Sequence, residues 1–274
     1  MVENINISII GKPNVGKSTI FNKLLGSDIS KVSSESGTTV FAITSRKEYK
    51  DLQLNLIDLG GLKRKSKSHS KNQKIITLET LNNLKLSDLV FFVLDASDEI
   101  TKNDKQLFKL ILNKLKNVIV LVNKVDLVKE KLKKKEDYFK FFFEKNYPNI
   151  LIKPIFISAN KNIKKEFLLK KVYEINYQSK QIIDNKKINY VLNEIVQNYQ
   201  PKYLKNGRPV IKFIKHVNSK PMIFKVFGNR MTSLSKEYKN YFIKSLLNKL
   251  NIFNRIVVIK YLNNNNPYSK KSKV

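Results

Sequence analysis

The chain of 274 residues carries 53 basic and 22 acidic residues, and its formal net charge of +31 makes a polyanion the expected partner. Because 42% of the residues are hydrophobic, the chain can build the core of one large domain or of two modest domains. The absence of cysteine excludes disulfides, thiolate metal sites and cysteine nucleophiles, and the presence of only two histidines argues against a histidine zinc site.

The positive charge is concentrated in the C-terminal third. Residues 1–180 hold 34 basic and 19 acidic residues, whereas residues 181–274 hold 19 basic and 3 acidic residues. A codon bias toward A/T accounts for much of the lysine and asparagine, but it does not explain the loss of acidic residues. Nucleic acid is therefore the first expected partner of this third, and an anionic membrane is the second.

The longest apolar run, Leu89–Leu94, is far shorter than the roughly 20 residues that a membrane span needs. Residues 1–6 lack the pattern of a signal peptide. We expect a soluble protein of the cytoplasm, or of an organelle stroma or matrix, that does not bind a membrane.

Strand and helix signals alternate over the first 160 or so residues. Asn6–Ile10 predicts a strand that leads into a glycine-rich loop, and Ser18–Leu25 predicts the helix that follows. Further predicted strands are Leu52–Ile57, Leu89–Leu94, Val118–Val122 and Ile152–Ile157, and the predicted helices between them are Lys102–Leu115 and Glu130–Lys145. This order predicts an α/β domain, residues 1–180, with a mostly parallel sheet and helices on both faces.

The pattern changes after residue 180. The predicted elements are a helix at Ile188–Tyr199, strands at Pro209–His216 and Met222–Phe227, a helix at Ser235–Leu250 and a strand at Ile256–Tyr261. The order helix, strand, strand, helix, strand predicts a small α+β domain at residues 181–262. Residues 263–274 are polar and basic and are predicted to form a flexible tail.

The strongest motif, Gly11–Ser18, follows the first predicted strand and opens the first predicted helix, which is the context of a phosphate-binding loop. Its glycines let several backbone N–H groups point at phosphates, and the helix N-terminus adds positive partial charge. Lys17 is expected to bridge the β- and γ-phosphates, and Ser18 to bind Mg²⁺. An ordinary glycine turn before a helix is the alternative interpretation.

Two motifs between residues 37 and 61 would surround the terminal phosphate. Asp58, which opens Asp-Leu-Gly-Gly after a strand, can hold Mg²⁺ through water, and the N–H of Gly61 can contact the γ-phosphate. Thr39 lies in Gly-Thr-Thr, and its hydroxyl can complete the Mg²⁺ coordination when GTP is bound. The polar stretch 28–41 around it can become ordered with the γ-phosphate, although it also suits an ordinary loop.

The sequence Asn-Lys-Val-Asp at 123–126 follows a buried strand and predicts selectivity for guanine. The Asp126 carboxylate can accept hydrogen bonds from N1–H and the 2-amino group of guanine, both of which adenine lacks. Lys124 can lie over the base, and Asn123 can brace the loop. The backbone amides of Ser158-Ala159-Asn160, after the next strand, could contact the guanine carbonyl.

These motifs resemble those of the translation-factor-related GTPases, the group that includes Era, the tRNA-modification GTPase and the Der (EngA) family. The C-terminal third resembles the KH-like domain that ends Der, through Gly228-Asn229-Arg230, Leu234–Phe242 and Ile259–Tyr268. The resemblance implies a P-loop GTPase domain followed by a small KH-like domain. The implied candidate residues for nucleotide binding are Gly11, Lys12, Pro13, Asn14, Val15, Gly16, Lys17, Ser18, Thr19, Asp58, Leu59, Gly60, Gly61, Leu62, Asn123, Lys124, Asp126, Ser158, Ala159 and Asn160.

The chain departs from the Der family in three places. Der has two tandem GTPase domains, and this chain has one, which matches the second. Val40-Phe41 replaces the family's Arg-Asp, and Asp-Leu-Gly-Gly at 58–61 replaces Asp-Thr-Ala-Gly. Leu62 stands where Ras-like enzymes orient water with glutamine, as in other members of this group, some of which use K⁺ held partly by the P-loop asparagine. Asn14 matches that asparagine, so the candidate catalytic residues are Lys17, Asn14, Thr39 and Gly61.

The resemblance implies a GTP-driven factor in the assembly of the large ribosomal subunit. We expect it to bind ribosomal RNA without DNA specificity and to be a monomer. Residues 228–231 lack the Gly-x-x-Gly loop of an RNA-binding KH module. We therefore expect contacts with RNA phosphates rather than sequence-specific binding of single-stranded RNA. The candidates for those contacts are Lys202, Lys205, Arg208, Lys212, Lys215, Lys270, Lys271 and Lys273. The alternatives are a GTP- or GDP-binding RNA module with decayed hydrolysis and a membrane-surface GTPase.

Overall fold

The computed structural model describes residues 2–26, 45–57, 84–161, 163, 165–205 and 207–263. The chain divides into two compact units. The first unit comprises Met1–Glu144, Ile152–Tyr177 and Asn254–Ile256, and the second unit comprises Lys145–Leu151, Gln178–Phe253 and Val257–Val274. The domain limits at residues 180 and 262 stay predictions. Within the described ranges, no helix is long and apolar enough to cross a membrane.

Among the described residues of the first unit, six strands form one sheet in the order β2-β3-β1-β4-β5-β6. Only β2 is antiparallel to its neighbour, and the other pairs are parallel. Its strands are β1 (Glu3–Ile10), β2 (Ser45–Tyr49), β3 (Leu52–Ile57), β4 (Leu89–Asp95), β5 (Asn117–Asn123) and β6 (Ile155–Phe156). The helices among the described residues of this part of the chain are α1 (Lys17–Leu25), α2 (Lys102–Asn113), α3 (Leu132–Asn146) and α4 (Lys165–Gln178).

Helices cover both faces of this sheet, as the alternating pattern predicts. On one face, the apolar sides of α1 and α4 join the strand residues Ile7, Leu54 and Phe91 in one buried cluster. On the other face, Phe92 of β4 packs against Phe108 of α2 with ring centroids 5.3 Å apart, and Phe108 packs against Phe143 of α3 at 5.0 Å. All seven residues of β4 are buried, which explains its continuous apolar sequence.

The strand predicted at 152–157 is the least accurate of the predicted elements. Only Ile155 and Phe156 form β6. Pro154 has no N–H to donate to a ladder, and the N–H of Lys153 instead donates to Oδ1 of Asn254 at 3.1 Å.

The aromatic residues of α3 lie on both sides of the helix. Phe139 and Phe143 are buried, whereas Phe141 is 64% exposed.

The second unit has the predicted order of helix, strand, strand, helix and strand. Its elements are α5 (Asn185–Asn198), β7 (Val210–Ser219), β8 (Met222–Asn229), α6 (Lys236–Lys249) and β9 (Val257–Asn263). β7 pairs with β8 antiparallel and β8 pairs with β9 parallel, so β8 is the central strand. The side chains of Asp184 and Ser235 cap the N-termini of α5 and α6.

The core of the second unit lies between its helices and one face of its sheet. Ile188, Leu192 and Ile195 of α5 and Phe242 and Leu246 of α6 join the alternate strand residues Ile214, Phe224 and Val226 in one buried cluster. The predicted fold class, an α/β domain with a mostly parallel sheet followed by a small α+β domain, is confirmed.

Candidate functional site

The loop between β1 and α1 has the backbone conformation that a phosphate-binding loop requires. Asn14 has φ 65° and Gly16 has φ 96°, both in the left-handed region, and the helix begins directly afterwards. A Cβ atom on Gly16 would collide with the Asn123 side chain, and one on Gly11 would collide with the carbonyl oxygen of Val93. Glycine is therefore required at both positions, by φ at one and by close backbone approach at the other.

Lys17 opens α1 and turns its ammonium group back onto this loop. Its Nζ donates a hydrogen bond to the carbonyl oxygen of Lys12 over 2.5 Å. An ammonium group carries three N–H donors, so it can hold the loop and a phosphate oxygen at the same time. Ser18, the next residue, lies exposed in the first turn of the helix.

Asn123, the last residue of β5, ties two other loops together. Its Nδ2 donates to the carbonyl oxygen of Val15 at 2.8 Å, and its Oδ1 accepts from the backbone N–H of Ala159 at 2.8 Å. The residue is 2% exposed, so both bonds are shielded from water. The loops after β1, β5 and β6 are thereby held in one arrangement.

Asp126 presents a carboxylate that is partly exposed and strongly hydrogen-bonded. Its Oδ1 accepts from the hydroxyl of Ser158 at 2.6 Å, and this bond lowers the pKa of Asp126 below its ordinary value of 3.8. The carboxylate is consequently ionised at neutral pH and can accept hydrogen bonds from a ligand.

Lys124 is oriented by an acidic residue that motif reasoning missed. Its Nζ lies 2.6 Å from Oδ2 of Asp95, the last residue of β4, which pairs in register with Asn123. Burial raises the pKa of Asp95, but the hydrogen bonds from Lys124 and Ser97 outweigh it and leave the pKa below its ordinary value. The sequence signal that could have identified Asp95 is its position at the end of a buried strand, β4, which neighbours β5.

A second ion pair, also missed, anchors Lys12 of the phosphate loop. Its Nζ lies 3.1 Å from Oδ2 of Asp104, whose side chain is 1% exposed, and 3.6 Å from Oδ2 of Asp98. Asp104 and Thr101 also form the capping box of α2. The start of α2 is thus joined electrostatically to the phosphate loop.

The three loops enclose a cavity of about 180 Å³. Its lining residues are Asn14, Gly16, Thr19, Asn123, Lys124, Asp126, Ala159 and Asn160. The structure therefore brings together the predicted phosphate loop, the Asn-Lys-Val-Asp motif and the Ser-Ala-Asn motif. Thr39 and the predicted residues Asp58, Leu59, Gly60, Gly61 and Leu62 lie outside the described residues. The described ranges contain no group of three or more His, Asp or Glu side chains that could hold a metal ion.

Comparison with known proteins links these observations to a family. The family described as "50S ribosome-binding GTPase" matches residues 6–124, and the "KH-domain-like of EngA bacterial GTPase enzymes, C-terminal" matches residues 183–261. GTPase Der of Borreliella afzelii is 32% identical over 251 residues, which cover 89% of this chain and 55% of that protein. GTPase Der of Buchnera aphidicola subsp. Baizongia pistaciae is 31% identical over 268 residues, which cover 98% of this chain and 57% of the relative.

The chain thus spans little more than half the length of these relatives. Among solved structures, Era in complex with MgGDPNP and nucleotides 1506–1542 of 16S ribosomal RNA is similar in fold, with a TM-score of 0.50 and 22% identity over 96% of this chain and 93% of that one. One GTPase domain and the C-terminal KH-like domain are both matched, and the chain belongs to the Der (EngA) family of GTPases.

Proposed function

We propose that this chain binds guanine nucleotide in the cavity of the first unit, hydrolyses GTP, and acts as a nucleotide-controlled factor on the large ribosomal subunit. The observation that carries the proposal is the placement of Asn123, which fixes the phosphate loop, the Asp126 loop and the Ser158 loop around one cavity. A nucleotide must contact all three loops at once, since its phosphates and its base lie at opposite ends of the molecule.

Guanine selectivity follows from the charge on Asp126. An ionised carboxylate accepts from both N1–H and the 2-amino group of guanine, whereas adenine would leave it without donors. Sites built on such bonds reject the wrong ligand strongly, because a polar group of the site would stay unpaired. Lys124, held by Asp95, would cover the base with its aliphatic stem. The backbone amides of Ser158, Ala159 and Asn160 are the candidates for the guanine carbonyl.

The phosphates would lie against the N–H groups of the phosphate loop and the N-terminus of α1. Lys17 would add a positive charge for the β- and γ-phosphates. The hydroxyl of Ser18 is a hard oxygen ligand of the kind that Mg²⁺ prefers, and Thr39 and Asp58, the latter through water, are the proposed further ligands. Mg²⁺, when bound, neutralises charge that develops on the phosphate oxygens.

Hydrolysis would depend on positioning and electrostatics rather than on a protein base. Leu62 cannot orient water, so we assign the stabilising contacts to Lys17, the Gly61 N–H and the Thr39 hydroxyl. Asn14, whose left-handed backbone places it on the cavity wall, is the proposed ligand of an activating K⁺. Equal single-turnover rates in matched KCl and NaCl would remove the K⁺ from this scheme.

The ribosomal partner is inferred from the family described as "50S ribosome-binding GTPase" and from the charge of the C-terminal third. The second unit would contact ribosomal RNA through basic residues. The sequence-based candidates that the structure describes are Lys202, Lys205, Arg208, Lys212 and Lys215. Phosphate contacts of this kind weaken steeply as salt rises.

An Asp126→Asn variant tests the guanine contact directly. An amide can donate to the 2-oxo group of xanthine but cannot accept from both donors of guanine, so GDP affinity should fall and xanthosine diphosphate affinity should rise. Asp137→Asn, on the exposed side of α3, is the matched control and should change neither. Unchanged GDP affinity in the Asp126 variant would place the base elsewhere. GDP binding without any single-turnover hydrolysis of GTP would indicate a decayed GTPase.

A further inference from the structure

The sheet of the second unit has one covered face and one open face. Ile214, Phe224 and Val226 point into the core formed with α5 and α6. Alternate residues of the same strands point to the other face, where no described helix of the second unit packs as a layer. This open face contains three rows of side chains that cross β7, β8 and β9, and each row follows from the strand register.

The central row of the open face consists of three lysines. Lys215 pairs with Lys225, and Lys225 pairs with Lys260, so the three stand directly opposite one another on neighbouring strands. Side chains opposite one another lie about 5 Å apart at Cβ, and like charges at that spacing repel. Among the described residues, none of the three forms an ion pair.

The rows on either side of the lysines are mostly apolar. Phe213, Phe227 and Leu262 form one of them, and the two phenylalanine rings have centroids 6.2 Å apart. Ile223 and Val258 form the other together with Asn218, which is the polar member of that row. Phe213 is 40% exposed, although it is a large apolar side chain. Adjacent rows are two residues apart along a strand, about 6.7 Å, which a lysine side chain spans easily.

The three strands give this face basic side chains and no acidic ones. The strands β7, β8 and β9 contain no acidic residue. All three acidic residues of 181–274 belong to the helices or their caps: Asp184 caps α5, Glu194 of α5 lies 3.1 Å from Lys249 of α6, and Glu237 is in the first turn of α6. A codon bias raises the number of lysines, but it does not align three of them across a sheet.

The edge of the sheet at β7 is less suited to a partner than its face. The side chain of Asn189 in α5 accepts from the N–H of Ile214 at 3.0 Å and donates to the carbonyl oxygen of Ile214 at 2.8 Å. These bonds occupy the backbone groups that an added strand would use at that position. An anionic ligand with flat apolar groups fits the face itself.

We propose that the open face binds single-stranded RNA, with phosphates on the row Lys215–Lys225–Lys260 and unpaired bases stacked on Phe213 and Phe227. This inference rests on the proposed ribosomal function and assigns its RNA contact to one surface. Bases can stack on aromatic rings only when they are unpaired, and such stacking tolerates any sequence. The face therefore supplies an RNA-binding mode that needs no Gly-x-x-Gly loop.

Fluorescence anisotropy of the full chain with a labelled oligouridylate of about 12 nucleotides tests the proposal. The variant K215Q/K225Q/K260Q removes the row, and K186Q/K187Q/K236Q removes the same charge from exposed lysines at the starts of α5 and α6. Each lost phosphate contact lowers the slope of log affinity against log salt by about 0.7 for a single strand. The row variant should lose about 2 units of slope and roughly 100-fold in affinity near 0.1 M salt, and the control should lose far less.

The double variant F213L/F227L separates stacking from charge. It keeps apolar volume but removes the rings, so affinity should fall about tenfold while the salt slope is unchanged. Equal losses in the row variant and its control, or equal binding of double-stranded RNA, would overturn the proposal. Binding to phosphatidylglycerol vesicles in place of the oligouridylate would also overturn it, in favour of a lipid surface.

Large ribosomal subunits distinguish failure of this inference from failure of the proposed function. If the unaltered chain sediments with the subunits but does not bind the oligouridylate, the inference fails and the ribosomal function stands. If it binds neither, both fail. GDP affinity should be the same in the row variant and the unaltered chain, because the nucleotide cavity contains none of the three lysines.

Discussion

Asn123→Ala is the perturbation whose effect the structure predicts most fully. The substitution leaves the carbonyl oxygen of Val15 and the N–H of Ala159 without their buried partner. A buried polar group left unpaired costs about 1–3 kcal/mol, so the two together cost about 2–6 kcal/mol if nothing moves. The loops can relax and admit water, which spares the fold but loses the arrangement that nucleotide needs. GDP affinity should then fall at least tenfold, equivalent to about 1.4 kcal/mol.

The assay is isothermal titration of GDP, combined with urea unfolding of the same samples. Asn117→Ala is the matched control, because Asn117 begins the strand that Asn123 ends and lies about 20 Å from it. The control should bind GDP as the unaltered chain does. If Asn123→Ala lowers stability but changes GDP affinity by less than about threefold, the hydrogen bonds of Asn123 stabilise the fold without shaping the nucleotide site, and our account of the site is wrong.

Three further predictions concern charge. The hydrogen bond from Ser158 lowers the pKa of Asp126 below 3.8. The stability that the ionised carboxylate contributes is therefore fully present above the pKa of the unfolded chain, and it is lost only as the pH falls through the lower pKa of the folded state. GDP affinity, measured by titration, should therefore not decline through loss of this charge between about pH 8 and 5, and a decline that Asp126→Asn abolishes would contradict this. Asp104→Asn breaks the ion pair with Lys12 and should lower the free energy of unfolding in urea by about 1–3 kcal/mol, discounted because Lys12 is partly exposed. Lys225→Gln relieves repulsion in the lysine row and should raise the free energy of unfolding by about 0.5 kcal/mol, and a lower melting temperature would argue against that repulsion.

The fold was predictable where local patterns decide structure. The buried strands β4 and β5 are continuous apolar runs, and the bounds of β3 agree with the prediction at Leu52–Ile57. Strand β2 was not predicted, because its sequence Ser-Arg-Lys-Glu-Tyr has no apolar alternation and it pairs with only one neighbour at the sheet edge. Helix α4 was also omitted, although Leu168, Leu169, Val172 and Ile175 give it a clear apolar side.

The site was predictable as far as its short motifs extend. The phosphate loop, Asn123, Asp126 and Ser158 meet around one cavity because each follows a strand at the same edge of a parallel sheet. The ion pairs of Lys12 and Lys124 were not predicted, since their partners are distant in sequence and belong to no motif.

The lysine row illustrates a different limit of the sequence. Lys215 was one of many basic candidates, and nothing in the sequence sets it opposite Lys225 and Lys260. That alignment depends on the register of three strands, which is fixed by packing of their other face against α5 and α6.

Co-sedimentation of the purified chain with large ribosomal subunits, in a non-hydrolysable GTP analogue, in GDP and without nucleotide, tests the central claim most directly. A nucleotide-controlled factor should sediment with the subunits in the GTP analogue and much less in the other two conditions. Binding that is the same in all three conditions and disappears at moderate salt would show that charge alone drives association, and it would contradict the proposed switch.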